Sequence, residues 1–230
     1  MARFKRFYRY YVSFQKLVFK GKSQSKWFLV SLILLLLLPF PMLIFPNQKQ
    51  LVFELVLSMV VFFGVQLVSD TLKHFMVGLI LGCLSILLIW LDYFNQVTFL
   101  TKIFKPFAII TFLTYLGYYL FNFVAKRKSV DLNMILVSIA GYLLIGIFGG
   151  QLFYALNLAF PNSFNIASEK PLFALTYYSF TTLTSLGFGD ILPLTQASQS
   201  LSLIIALSGE LYITILVAII VGKYLIYKQQ

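Results

Sequence analysis

Ten residues, Thr181 to Asp190 (TTLTSLGFGD), constrain this chain more than any others. Two glycines stand one residue apart, hydroxylated residues precede them, an acid closes the run, and long apolar stretches lie on both sides. Irregular backbone at membrane depth persists only where protein buries it or where it lines a watery cavity. A polar species is therefore expected to pass here.

Composition decides the solvent. The chain is 60% hydrophobic and only 11% charged, with a mean hydropathy of +0.90, outside the range of soluble domains. The net charge of +11 would suggest nucleic acid if the basic residues shared a soluble face. They sit instead at the ends of apolar spans, which is a membrane-topology signal, so no nucleic-acid partner is expected. One cysteine (Cys83) and one histidine allow neither an intramolecular disulfide nor a metal cluster of the usual kind.

The glycine spacing has a physical reading. A cation leaving water must have its hydration oxygens replaced, and a ring of backbone carbonyls does this without full charges. Successive carbonyls point the same way only when alternate residues adopt unusual dihedrals, which glycine permits at little steric cost. Gly187 and Gly189 fit that requirement. Leu186 and Phe188 would then turn their side chains back into the protein and brace the strand. The carbonyls of Ser185, Leu186, Gly187 and Phe188, with the Ser185 hydroxyl at the inner end, would line the path.

The wider stretch Pro171 to Pro193 (PLFALTYYSFTTLTSLGFGDILP) resembles the pore loop of the potassium channel superfamily, whose filter reads TVGYGD. Ser185 falls on the filter threonine, Leu186 on the valine, Gly187 and Gly189 on the glycines, Phe188 on the tyrosine and Asp190 on the aspartate. The resemblance covers roughly Leu132 to Leu225. It implies a filter over Thr184 to Gly189 that binds K+ as permeant ion, with no cofactor and no enzymatic step. It also implies a gating hinge near Gly209. One chain supplies a quarter of such a ring, so a homotetramer is expected.

Read in order, residues 1–26 hold eight basic residues and no acid. They form either a basic amphipathic helix on anionic lipid headgroups or a partly disordered tail. Spans are expected at about Trp27–Phe45, Leu51–Ser69, Phe75–Tyr93 and Pro106–Val124, giving a four-helix membrane domain over 27–131. A pore domain over 132–230 follows, with spans at about Leu132–Phe153 and Ser200–Tyr224. Glu54 is expected at the headgroups, and Gly78 with Gly82 at a close helix contact. Asp70 is read as a capping acid and His74 as a loop histidine. Lys102 and Lys105 stand at one end of the fourth span while its body carries no charge. They read as snorkelling anchors, since a voltage sensor needs several charges within the field. Fourteen of the 18 Lys and Arg residues fall on one side of this six-span arrangement, which places both termini in the cytoplasm of a multi-pass plasma membrane protein.

Within the pore loop, Ser168 or Glu169 is expected near a helix start with Pro171 at its first position. Leu172–Thr182 is the expected re-entrant pore helix, its C-terminal end favouring a cation. Asp190 either concentrates cations at the outer mouth or is tied back to the pore helix. Glu210, at membrane depth, either faces the inner cavity or hydrogen-bonds Thr181 or Thr182. The fold expected is all-α and membrane-integral, with about six transmembrane helices. The function expected is potassium-selective conduction. The alternatives are a weakly selective monovalent cation channel and, from a different class, a membrane enzyme using Asp70 with His74 or Glu210, or a transporter.

Overall fold

Apolar runs, prolines and capping side chains set the helix boundaries. The computed structural model describes residues 24–45, 48–69, 71–95, 99–127, 130–166 and 171–228. Among the described residues there are eight helices and no strand: α1 (Gln24–Leu36), α2 (Pro39–Ile44), α3 (Lys49–Leu67), α4 (Leu72–Asn95), α5 (Phe99–Lys126), α6 (Leu132–Ala159), α7 (Pro171–Leu183) and α8 (Gln196–Lys228). Five of them, α3, α4, α5, α6 and α8, contain apolar stretches long enough to cross a membrane. The expectations for residues 1–23, Asp70, Ser168 and Glu169 lie outside the described residues, as does the Lys102 side chain. The chain divides into two compact units, Met1–Thr101 and Lys102–Gln230.

In the first unit, the expected first span is two helices. α1 has 13 residues, or about 20 Å, which is short of a hydrocarbon core of about 30 Å. Pro39 explains the break: it has no N–H for the Leu35 carbonyl, and its ring crowds that carbonyl. The same residue suits the first turn of α2, where its missing donor costs nothing. α3 packs on α1, α2 and α4. Glu54, expected at the headgroups, is instead buried at 3% exposure, because it shares a helix side with the buried Leu57 and Val61. α4 starts where Thr71 Oγ1 accepts the His74 N–H at 3.3 Å. Phe75, Gly78, Gly82, Ser85 and Ile89 form its buried stripe, so the small residues do lie where the helix is covered.

The helices outrun the apolar windows. α5 begins at Phe99, with Pro106 inside it rather than at its start. The carbonyl that Pro106 leaves without a helical donor is that of Lys102, in the first turn, where a proline disturbs least.

In the second unit α6 packs on α7 and α8, and α7 packs on α8. Asp131 caps α6, its Oδ1 accepting the Met134 N–H at 2.9 Å. The α6 glycines serve close contact: a Cβ on Gly146 would meet the Phe180 ring, one on Gly149 the Ser179 hydroxyl, and one on Gly150 the Thr176 backbone. The Ser179 hydroxyl donates to the Gly146 carbonyl at 2.7 Å, a bond available only because the two helices touch. Gly141 leaves room for Tyr212 of α8, whose hydroxyl donates to the Ser138 carbonyl at 2.7 Å. Phe153, Phe164 and Tyr178, with ring centroids 5.1–5.5 Å apart, centre a core completed by Leu175, Leu183 and Ile205.

Candidate functional site

α7 ends at Leu183, and the chain leaves it in a loop held by its own last turn. The Thr184 N–H donates to the Phe180 carbonyl at 3.0 Å, the Ser185 N–H to the Thr182 carbonyl at 3.1 Å, and the Gly187 N–H to the Thr181 carbonyl at 3.1 Å. Ser185, Gly187 and Gly189 all have positive φ, at 57°, 53° and 80°, whereas Leu186 and Phe188 do not. Positive and negative φ therefore alternate along the loop from Ser185 to Gly189. The left-handed positions therefore number three, with a serine at the first, where sequence reasoning assigned only the two glycines.

Of the two bracing side chains expected, one finds support within the subunit. The Phe188 ring stacks on Tyr177 of α7, with centroids 6.4 Å apart and planes 7° from parallel. Leu186 is 61% exposed, so its side chain does not face into its own subunit. Thr184, also exposed, donates its hydroxyl to the Phe180 carbonyl at 2.7 Å.

Asp190 lies close enough to Tyr177 of α7 for its charge to act on the Tyr177 hydroxyl. Partial desolvation, with the Asp190 carboxylate nearby, holds the Tyr177 hydroxyl above the ordinary tyrosine range. Beyond Asp190, Asn165 clamps the returning strand. Its side-chain oxygen accepts the Leu192 N–H, its amide nitrogen donates to the Asp190 carbonyl at 3.4 Å, and its own N–H donates to the Leu192 carbonyl at 3.2 Å. The Leu194 N–H adds a bond to the Ser163 carbonyl at 2.8 Å, and Phe164 bridges Pro193 in antiparallel fashion. Sequence reasoning missed Asn165 and Tyr177. Asn165 stands outside the pore-loop stretch, and Tyr177, though inside it, carries no mark of what it meets.

The inner end of the loop meets α8. Glu210 does not bond Thr181 or Thr182 by its carboxylate. Thr181 is buried and donates to the Tyr178 carbonyl at 2.9 Å, while Glu210 Oε1 accepts the Ser185 hydroxyl at 2.8 Å. The neighbouring Gly209 is packed so closely that a Cβ would collide with the Leu183 carbonyl oxygen, and α8 runs unbroken through it. The Tyr142 hydroxyl reaches that same carbonyl at 3.4 Å. Tyr178 and Ser202 share a buried hydroxyl pair at 2.8 Å that fastens the middle of α7 to α8.

A short helix, a loop in which positive and negative φ alternate and two flanking apolar helices make up this part of the chain. Residues 134–225 match the family model Ion_trans_2, described as an ion channel. This stretch is similar to the ion channel family. The match spans α6, α7, the loop and most of α8, so the resemblance to the potassium channel superfamily read from TSLGFGD holds there. No curated protein and no solved structure matches the chain. The ion channel assignment and the five apolar helices make this an integral membrane protein. Among the described residues, no group of three or more His, Cys, Asp or Glu is placed to hold a metal ion.

Proposed function

We propose that the protein is a potassium-selective channel, conducting passively through a filter formed by Thr184 to Gly189 in a homotetramer. The observation that carries this reading is the left-handed alternation at Ser185, Gly187 and Gly189. It presents the carbonyls of Ser185, Leu186, Gly187 and Phe188 as replacements for the water around K+. Four copies around an axis close the ring. The exposed Leu186 and the apolar surface of α8 supply the faces that such assembly and the lipid would cover.

In this reading α7 is a re-entrant pore helix entered from outside, and Asp190 sits at the outer mouth. The chain crosses the plasma membrane six times, with α1 and α2 together making the first crossing, and both termini are cytoplasmic. The basic N-terminal segment meets anionic headgroups. K+ is the cargo; no cofactor and no chemical step is required, and the protein is not an enzyme. Gly209 acts first as a contact between α8 and the pore helix, and any hinge motion would have to separate it from Leu183.

A weakly selective monovalent cation channel is the second reading, favoured by the unbraced Leu186. Reversal potentials separate the two. With potassium on one side of a planar bilayer and an equal concentration of sodium on the other, the reversal potential should be displaced far from zero, on the side that opposes potassium flow. A reversal that ignores which cation is on which side would select the second reading.

A further inference from the structure

Gly209 and Glu210 are consecutive on α8, and each meets the end of α7 or the residue that opens the filter. Gly209 lies against the backbone of Leu183, which Tyr142 of α6 also holds, at 3.4 Å. With the register of α8 fixed there, Glu210 is presented to Ser185, two residues beyond Leu183, and accepts its hydroxyl at 2.8 Å. The backbone of Glu210 is fixed in turn, its carbonyl accepting the Thr214 hydroxyl at 2.8 Å.

Ser185 has reason to need this partner. It stands at φ 57°, a conformation L-residues avoid because Cβ crowds the backbone. Its side chain carries one heavy substituent on Cβ where a threonine carries two, so its rotamer is less restricted by its own structure. A hydroxyl has one proton and two lone pairs. When the proton goes to Glu210, the lone pairs are left on the other side of the oxygen, available to a cation. Thr184 gives its proton to the Phe180 carbonyl of its own helix, so it offers no comparable link to α8.

We propose that Glu210 is a positioning residue for the innermost cation site. Through the Ser185 hydroxyl, its carboxylate holds the first left-handed residue of the filter and aims the hydroxyl oxygen at a dehydrated monovalent cation. The inference rests on the channel reading and adds to it a connection from α8 to the filter within one subunit. It differs from simple electrostatic attraction, in which the carboxylate raises the local cation concentration by charge alone. Glutamine keeps an oxygen acceptor and removes the charge, whereas methionine keeps the volume and removes the acceptor.

The test measures potassium against sodium reversal potentials for the full chain in planar bilayers, with assembly of each variant checked by cross-linking. Glu210→Met and Ser185→Ala should each lower the permeability ratio by about tenfold, the scale of one hydrogen bond to a charged group. The double variant should be no worse than either single one, because both remove the same bond. Glu210→Gln should recover the ratio lost in Glu210→Met while passing less current. Any of three results would overturn the inference: a native ratio in Glu210→Met, equal losses in the Gln and Met variants, or additive losses in the double variant. A native chain with no potassium preference would instead overturn the channel reading itself, so the two failures are distinguishable.

Discussion

Gly187 and Gly189 separate two reasons for a glycine. A Cβ on either would meet nothing within 4 Å, so the requirement is conformational: an L-residue in the left-handed region costs about 1–2 kcal/mol. Gly187→Ala should therefore lower stability in detergent by no more than about 1–2 kcal/mol while potassium discrimination is lost. Equal losses of stability and selectivity would point to packing instead. The glycines were legible in the sequence because no other residue type adopts positive φ so cheaply. Ser185 was not, since serine carries no mark of the left-handed conformation and only its surroundings impose it. Glu210 was legible as an acid at membrane depth, but helical phase could not choose among Thr181, Thr182 and Ser185 as its partner. The Asp190 contact leads to a related expectation. Asp190→Asn removes the charge that helps raise the Tyr177 hydroxyl, so Tyr177 should ionise at lower pH than in the native protein. A difference titration against Tyr177→Phe would read this, and an unchanged titration would refute the contact.

Helix contacts divide the glycines of the pore unit into demanding and tolerant positions. A Cβ at Gly209 would strike the backbone of Leu183, and one at Gly150 the backbone of Thr176, whereas nothing lies within 4 Å of Gly222. Backbone cannot swing aside as a flexible side chain can, so Gly209→Ala and Gly150→Ala should each cost about 1–3 kcal/mol as overpacking. Gly222→Ala should be neutral or stabilising by up to about 1 kcal/mol through helix propensity. Melting temperatures of the three variants check this, and a destabilised Gly222→Ala would refute the assignment. The Asn165 clamp makes a third case: Asn165→Ala should destabilise by about 0.5–1.5 kcal/mol, since water can take over its exposed backbone partners.

The element pattern was legible where long apolar runs met caps and prolines, as at Pro171 and Pro39. It was less legible at helix ends, because Lys, Gln and Asn neither stop a helix nor add to its hydropathy, so α6 and α8 extend beyond their apolar windows. The pairing of Asn165 with Leu192 spans 27 residues of sequence, and nothing local to either residue announces it.

Burial within one copy of the chain is uneven. In the apolar window of α8 only 11% is buried, against 50% in α6. A helix that is apolar on nearly every side yet largely uncovered must face lipid, a conduction path or other copies. The candidate filter is likewise open from Thr184 to Asp190, as a quarter of a closed ring would be. Cross-linking of the purified protein should therefore trap species up to four copies and no further. Whether Thr184 to Gly189 is a potassium filter is tested by potassium flux out of liposomes. Vesicles loaded with potassium and bathed in sodium would carry either the native chain or Gly187→Asp. Potassium-driven flux is expected from the native vesicles and none from the variant, with both assembled alike. Equal flux from the two would contradict the filter reading.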